Sequence, residues 1–301
     1  MRIRKETIMK RSVDLVYKMD ALLGEAPLWK SDTQSLYWVD ILNKKLYRLD
    51  EPEGNHHIYD MPSLVSCFAF GNDGLIYLFL EDGLYAFEEE IKKLTFISAP
   101  EDLDNNHRFN DGKCDSHGRF YVGSMEKDYI HPTGSLYFVD ETLKFTKVIH
   151  EKFVVPNGLC WNDVDKKFYH VDTVNGDVNV YDYNPISGLL GESKTIIHFE
   201  KEEGSPDGMT IDADGKLWIA HWGGYKISRW DPVLCIRLEE IAIPVEKVTS
   251  LTFGGKDMKE LYITSASLEG AVGELSGSVF KVRVDVEGRE SATFKVRKLN
   301  G

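Results

Sequence analysis

The chain has 301 residues and a formal net charge of −13, from 36 lysines and arginines against 49 aspartates and glutamates. This acidic balance argues against nucleic-acid partners, because binding a polyanion requires a basic surface that displaces counterions. It suits a neutral or cationic ligand, or a metal ion, and it also favours solubility.

The N-terminal stretch MRIRKETIMK is basic and lacks the apolar core of a signal peptide. We predict a loose extension over residues 1–10 and a single domain over residues 11–301. No later segment approaches the length of a transmembrane helix, so we expect no membrane association.

The four cysteines lack the paired short spacing of zinc ribbons and are too few for a disulfide framework. Three of them lie inside apolar runs, which predicts buried free thiols in a reducing, cytoplasmic compartment. They are Cys67, Cys114, Cys160 and Cys235.

Six segments share one order, which is a short strand, a polar turn, an aromatic-rich strand, a turn and a third strand. The second strands recur at steps of 39 to 49 residues, the period of four short strands with their turns. The sequence therefore predicts an all-β, six-bladed β-propeller with four antiparallel strands per blade. The second strands are predicted to begin near Leu36, Leu75, Phe120, Phe168, Leu217 and Leu261.

The individual units support this interpretation in chain order. In the first, APLW leads to LYWVD; in the second, Asn72-Asp73-Gly74 is a strong hairpin signal, because glycine accepts the positive φ of a tight turn. The third unit contains a longer loop, residues 126–133, and the sixth contains a glycine-rich loop, residues 268–277. Because such interruptions often cover a binding site, both loops are candidate lids.

The two ends of the chain also have strand-like sequences. DLVYKM precedes the first unit and ATFKVRKL, residues 292–299, follows the last. Because propellers usually close their ring by combining the termini in one blade, we predict that these two segments lie together.

The inner strand of every propeller blade lines a central channel, so equivalent inner-strand positions converge on one axis. Counting back nine to eleven residues from each second strand gives a polar residue at the start of an apolar run in all six units. An ordinary Asx-Gly turn is the weaker explanation of the pairs found there, since the hairpin turn of each unit lies further on and the pairs are expected to precede the first strand. The six residues are Glu25, Ser66, Asn110, Asn157, Asp207 and Ser250.

Three of these residues have hard oxygen donors. Glu25, Asn157 and Asp207 together offer two carboxylates and an amide oxygen, which suit Ca²⁺, Mg²⁺ or Mn²⁺. Two carboxylates near one axis resist joint ionisation, and a divalent ion would resolve that repulsion. A solvated polar rim is the alternative; Ser66 and Ser250 are expected only to shape the channel.

At this point the sequence resembles the SMP-30/gluconolactonase/regucalcin-like propellers, which include luciferin-regenerating enzyme relatives. The resemblance lies in motifs spread over nearly the whole chain, and RFNDGK, PNGL and PDGM in that order are specific to the family. The matching segments are LGEAPLW at 23–29, RFNDGKCDSHGRFYVGSM at 108–125, PNGLCW at 156–161, SPDGMTIDADGKLWIA at 205–220 and VTSLTFGG at 248–255.

The resemblance implies one divalent metal ion, held by the residues Glu25, Asn157 and Asp207, with water completing its shell. Its identity among Ca²⁺, Zn²⁺, Mg²⁺, Mn²⁺ and Fe²⁺ is left open. The family usually assigns the catalytic base to the position of Asp207, although a metal-bound carboxylate has a lowered pKa and is a poor base.

The resemblance also implies substrate contacts from Arg108 and Asn110, and Asn110 is a further candidate metal ligand. Asp128 corresponds to an acidic substrate-contacting position in some members, but it lies in the variable 126–133 loop, where Glu126 could take that role.

The end of the fifth hairpin departs from the animal members of the family at His221 and Trp222, which puts the sugar specificity in question. A histidine here is more commonly satisfied by neighbours or exposed than catalytic. The chain contains no Gly-x-Ser-x-Gly elbow, which argues against serine-hydrolase chemistry.

We therefore expect a metal-dependent hydrolase of small sugar lactones, of the gluconolactonase type, that acts as a monomer. A bound divalent ion would polarise the lactone carbonyl and activate water. Two alternatives stay open: a non-enzymatic calcium-binding regulatory protein of the regucalcin type, and another metal-dependent esterase or phosphotriesterase on the same scaffold.

Overall fold

The computed structural model describes residues 11–51, 53–268 and 270–297. In this part of the chain, 24 strands form six four-stranded antiparallel sheets, which are the blades of a six-bladed β-propeller. The predicted fold class is confirmed. The predicted extension over residues 1–10 lies outside the described residues.

The inner strands of neighbouring blades contact one another all the way round the ring. They are β2 (Gly24–Lys30), β6 (Val65–Phe70), β10 (His107–Cys114), β14 (Pro156–Asn162), β18 (Ser205–Ile211) and β22 (Val248–Gly254).

Each inner strand pairs with the second strand of its blade. The second strands are β3 (Ser35–Asp40), β7 (Ile76–Leu80), β11 (Phe120–Glu126), β15 (Lys167–Asp172), β19 (Leu217–Trp222) and β23 (Glu260–Ser265). All six begin within one residue of the predicted positions. These strands are buried on both faces, because neighbouring blades pack face to face, and this explains why their sequences are continuous apolar runs.

The third and fourth strands continue each blade outward. The third strands are β4 (Lys45–Asp50), β8 (Gly83–Glu88), β12 (Gly134–Val139), β16 (Asp177–Tyr183), β20 (Lys226–Asp231) and β24 (Val279–Arg283). The fourth strands are β5 (Asn55–Asp60), β9 (Lys93–Ser98), β13 (Phe145–Phe153), β17 (Leu190–His198), β21 (Ile236–Ala242) and, in the last blade, β1 (Val13–Tyr17). A 3₁₀ turn at Lys201–Glu203 precedes β18.

The ring closes through the N-terminal strand, as predicted, because β1 pairs antiparallel with β24 in the sixth blade. The second half of that prediction is wrong. The described part of the 292–299 segment lies elsewhere: Phe294 bridges Gly71 of the second blade, and the Lys295 amide donates to the Gly118 carbonyl at 2.9 Å. Since β24 already provides the third strand, the blade has one free edge, and β1 occupies it.

The apolar core lies between the blades. Large aromatic side chains of the second strands, including Trp38, Tyr121 and Trp218, are fully buried there. Aromatic contacts also cross from blade to blade, as where Phe79 stacks on Phe120 at 4.3 Å between ring centroids. Among the described residues, no helix is long and apolar enough to cross a membrane.

Candidate metal and substrate site

A β-bulge interrupts the inner strand of each blade at the position of the predicted polar residue. In four blades the inner strand advances three residues while the second strand advances two, as between Glu25 and Leu28 and between Pro206 and Met209. The other two inner strands shift register by one residue at the same level. Because a bulge bends a strand and redirects its side chains, it turns these residues toward the axis.

The Asx-Gly pairs of the sequence lie inside these bulges, and not ahead of the strands as predicted. A Cβ on Gly158 would lie 2.4 Å from the Met209 amide nitrogen and 2.5 Å from the Asp207 carbonyl oxygen. A Cβ on Gly208 would lie 2.2 Å from Ser250 Oγ. Glycine is required because adjacent inner strands nearly touch near the axis.

The side chains of Glu25, Asn157 and Asp207 line one cavity of about 210 Å³ near the axis, and all three are buried. Asn110 also lines it, whereas Ser66 and Ser250 do not. Four of the six polar positions predicted from the repeats therefore converge. The full lining is Leu23, Glu25, Arg108, Asn110, Tyr129, Val155, Asn157, Thr173, Asp207, Trp222 and Leu268.

Two oxygens in this cavity have no hydrogen-bond partner among the described residues, namely Asn157 Oδ1 and Asp207 Oδ1. The Asn157 side-chain amide lies close enough to the Asp207 carboxylate to favour its ionised form, and the Ala26 amide donates to Glu25 Oε2 at 2.9 Å. A buried acceptor without a partner costs roughly 1–3 kcal/mol. Together with the Glu25 carboxylate, these two oxygens form a set of ligands that fits a hard divalent cation.

The electrostatics of the cavity support the same interpretation. Burial, and next the Asp111 carboxylate, raise the pKa of Glu25 to about 8. Burial, Glu25 and Asp111 hold the pKa of Asp207 well above its ordinary value. Three mutually repelling buried carboxylates are costly, and a divalent cation would offset that repulsion.

The candidate metal ligands are of two kinds, because Glu25 and Asp207 offer carboxylates and Asn157 offers an amide oxygen. Over the described ranges, no three His, Cys, Asp or Glu side chains stand in a metal-binding arrangement. Asp111 was not predicted, since the repeat comparison selected one polar residue per blade and Asn110 filled that position in the third blade.

Arg108 and Asn110 lie on β10 and are held firmly. Arg108 Nη1 donates to the Phe109 carbonyl and to Asn110 Oδ1, both at 2.8 Å, and Asn110 Nδ2 donates to the Pro156 carbonyl at 2.9 Å. Arg108 is only 3% exposed. The structure thus presents a fixed guanidinium to the cavity that also contains the candidate metal ligands.

The loop after β11 places its predicted acids differently. Asp128 is exposed and does not line the cavity, and Glu126 hydrogen-bonds the amide and ring of His131. The residue of this loop that lines the cavity is Tyr129. The sequence identified the loop as a candidate lid but gave no signal for this tyrosine. The second candidate lid contributes Leu268.

His221 and Trp222 have separate roles in the structure. His221 is fully buried. Its Nδ1 lies 3.2 Å from the Glu203 carbonyl oxygen, which can only accept, so Nδ1 carries the proton and donates it. Its Nε2 then accepts a hydrogen bond from Ser228 Oγ at 2.6 Å. Burial lowers the pKa of His221 to about 4. His221 is therefore a satisfied structural histidine, and Trp222 is the residue that lines the cavity.

Known proteins resemble this chain in both sequence and fold. Residues 23–267 match the model of the SMP-30/gluconolactonase/LRE-like region. The chain is 33% identical over 290 residues to the Bacillus subtilis protein YvrE, provisionally named a sugar lactone lactonase, which covers 94% of this chain and 99% of that protein. It is 36% identical to regucalcin of Gallus gallus, over 81% of this chain and 83% of that protein. A solved luciferin-regenerating enzyme superposes with a TM-score of 0.89 at 29% identity, over 95% of this chain and 100% of that structure.

Proposed function

Since the chain belongs to the SMP-30/gluconolactonase/LRE-like family, we propose that it is a divalent-metal-dependent hydrolase of sugar lactones. The observation that carries the proposal is a pair of buried oxygens, on Asn157 and Asp207, that have no hydrogen-bond partner in the described part of the chain. They share one cavity with Glu25 and with the buried guanidinium of Arg108.

Glu25, Asn157 and Asp207 would hold the ion through their side-chain oxygens. When bound, a divalent ion polarises an ester carbonyl and lowers the pKa of a coordinated water. In the reaction, water adds to the lactone carbonyl carbon and the ring C–O bond breaks. The ring oxygen leaves as a hydroxyl on the same molecule, so the products are one aldonate and one proton.

Arg108 and Asn110 supply binding and charge stabilisation in this proposal. Their mutual hydrogen bond fixes the guanidinium at the cavity wall. A fixed cation in a low-dielectric site stabilises negative charge that develops on the carbonyl oxygen, without having to reorganise during the reaction. The guanidinium and the Asn110 amide also orient the hydroxyls of a neutral sugar.

Asp207 is a metal ligand first and a candidate base second. Its Oδ1 has no hydrogen-bond partner among the described residues, and the nearby Asn157 side chain favours the ionised carboxylate. Only the oxygen that is not committed to the ion retains enough basicity to accept a proton from the attacking water.

Hydrolysis of an aldonolactone panel by metal-free protein, refilled in turn with Ca²⁺, Mg²⁺, Mn²⁺, Zn²⁺ and Fe²⁺, tests the proposal. We expect turnover of neutral aldonolactones that disappears on chelation, returns with metal and is absent in Asp207→Ala. The matched control is Asp214→Ala, which removes an exposed acid from the turn of the same hairpin. Turnover that survives chelation, or that persists in Asp207→Ala, contradicts the proposal.

A calcium-binding role without catalysis is the second candidate, and the similarity to regucalcin together with the all-oxygen donor set favours it. It predicts calcium binding at Glu25, Asn157 and Asp207 with no lactone hydrolysis in any metal. The same panel separates the two functions.

We further propose a reducing, cytoplasmic environment. The four cysteines are free thiols, and Cys67, Cys114 and Cys160 are buried in the fold. In an oxidising compartment the exposed Cys235 thiol would be open to oxidation or to an intermolecular disulfide bond. Neither reaction serves a soluble metabolic enzyme.

A further inference from the structure

The loop between β11 and β12 is a short, well-anchored cover over the candidate site. Near its start, the Lys127 side chain forms an ion pair with Glu81 of the second blade, and the Lys127 amide donates to the Asn106 carbonyl at 2.8 Å. Toward its end, the His131 amide donates to Glu126 Oε2 at 3.0 Å. These contacts fix the base of the loop and leave its tip, Tyr129 and Ile130, to project.

Tyr129 has a backbone conformation that is unusual for a bulky residue. Its φ is +56°, in the left-handed region that a tyrosine rarely adopts. Its side chain lines the same cavity as Arg108 and lies close enough to the guanidinium to interact with it electrostatically, while 47% of the residue remains exposed to solvent. The loop thus holds one aromatic ring between the buried arginine and solvent.

The part of the cavity wall formed by Trp222 is built differently. Trp222 lies at the end of β19, and its backbone bridges Lys247. The Lys247 ammonium lies 5.0 Å from the centre of the Trp222 ring and also donates to the Leu268 carbonyl, so three elements hold this wall together. Because the Trp222 backbone is part of a strand and its ring contacts Lys247, this wall is more firmly held than the tip of the 126–133 loop.

We infer that Tyr129 sets the upper size limit of the substrate, so that the site accepts monosaccharide lactones and rejects lactones extended by a second sugar. The inference rests on the proposed lactonase function and names its substrate class. A cavity of about 210 Å³ is small for a ligand site, and Tyr129 is a partly exposed lining residue on the loop between β11 and β12. An added glycosyl group would have to occupy the space of the tyrosine ring.

The test compares the kcat/KM for glucono-δ-lactone with that for lactobiono-δ-lactone, the same ring carrying a galactosyl group. Tyr129→Gly removes the ring and suits the left-handed φ; we expect the lactobiono-to-glucono ratio to rise roughly tenfold or more. Tyr129→Phe keeps the ring and should leave the ratio unchanged. Ile130→Gly loosens the same loop tip at a residue that is 66% exposed and does not line the cavity, and should also leave the ratio unchanged.

A readout that is independent of catalysis accompanies the kinetics. Phenylglyoxal modifies accessible arginines, and mass spectrometry reports the labelling rate of Arg108. Tyr129→Gly should accelerate that labelling, whereas Ile130→Gly should not. An unchanged substrate ratio in Tyr129→Gly, or an equal rise in Ile130→Gly, overturns the inference. If no variant hydrolyses any lactone, the proposed function fails, and unaltered Arg108 labelling in Tyr129→Gly then separately overturns the covering role of Tyr129.

Discussion

The inner strands and the loops at the mouth build the same cavity by different means. Glu25, Asn157 and Asp207 lie on strands that are paired within their blades and packed against the neighbouring inner strands. Tyr129 and Leu268 come from loops that each occur once in the chain. The difference teaches that the proposed metal site depends on the repeated geometry of the propeller, whereas the proposed substrate limit depends on individual contacts.

The largest expected effect comes from removing a charge on the inner strands. Asp207→Asn should lower lactone turnover by more than the roughly 10–100-fold that follows the loss of an outer-sphere partner of a metal. The variant should also be more stable than the wild type without metal and less stable than the wild type with metal. In chelator the variant should unfold at a higher temperature than the wild type, because it relieves the repulsion among Glu25, Asp111 and Asp207.

In excess Ca²⁺ the order should change, since an ion bound only by the folded wild type stabilises it by about 2.7 kcal/mol at 100 times Kd. Thermal unfolding in both buffers measures the reversal. Asp214→Asn, which removes an exposed acid of the same hairpin, should show none. An Asp207→Asn variant that stays less stable in both buffers would remove the electrostatic argument for the ion.

The second prediction concerns the close approach of the inner strands. Gly158→Ala would place a Cβ against two backbone atoms of β18, so strands must move apart. We expect a loss of roughly 1–3 kcal/mol in the free energy of unfolding, measured by urea titration, together with weaker metal binding. Gly191→Ala on the outer strand β17 is the matched control; its nearest neighbour is the Asp182 Cβ at 3.2 Å. Equal effects from both variants would show that the axis is no more crowded than the periphery.

A third prediction tests the interior between the third and fourth blades through pH. Both ring nitrogens of His170 lack partners within the described part of the chain, and its ring lies 4.6 Å from that of Phe153. Burial, with a smaller contribution from Lys152, lowers the pKa of His170 to about 3. Below pH 6.5 the unfolded chain therefore binds a proton at His170 that the folded chain does not bind. The free energy of unfolding falls as the pH drops from 6.5 toward 3.

By pH 4.5 His170 should lower the free energy of unfolding by roughly 2–3 kcal/mol. In His170→Leu the free energy of unfolding should therefore fall less steeply as the pH is lowered. His198 is the contrasting case. It is exposed, and Asp177 raises its pKa, so it stabilises the fold slightly at low pH and His198→Gln should lose that small contribution. An unchanged acid slope in His170→Leu would contradict the account of the buried ring.

The smallest expected effect separates interior from peripheral thiols. Cys235 is exposed at the end of the turn that follows β20, whereas Cys67, Cys114 and Cys160 lie buried in inner strands. Burial also raises the pKa of the Cys67 and Cys114 thiols, which suppresses their reactive thiolates. With the native protein, Ellman's reagent should titrate a single fast thiol, which Cys235→Ser removes. Several fast thiols would indicate that the inner strands open readily.

The sequence predicted the repeated part of the molecule well, for a physical reason. A second strand that is buried on both faces must be a continuous apolar run, so its start is visible in the sequence. Counting back ten residues from Leu217, where the fifth such run begins, gives Asp207. The role of the Asx-Gly pairs was not predictable in this way. Nothing local in PNG or PDG shows that Gly158 contacts the next blade, because that crowding arises only when the ring is closed.

The parts that the sequence did not predict depend on contacts between distant segments. ATFKVRKL has a strand-like pattern, yet Phe294 pairs with the second blade because β1 already occupies the free edge of the sixth. Tyr129 was missed in favour of Asp128, since one left-handed residue decides which side chain of the loop faces the cavity. Asp111 was missed because a bulge brings two adjacent polar residues to the same level.

The central claim is that Glu25, Asn157 and Asp207 form one divalent-ion site at the axis. Calorimetric titration of metal-free protein with Ca²⁺ and with Mn²⁺ tests it most directly, on the wild type, Asp207→Ala and Asp214→Ala in parallel. We predict one ion per chain for the wild type and for Asp214→Ala, and no measurable binding at that site in Asp207→Ala. An Asp207→Ala variant that still binds one ion with wild-type affinity would contradict the claim.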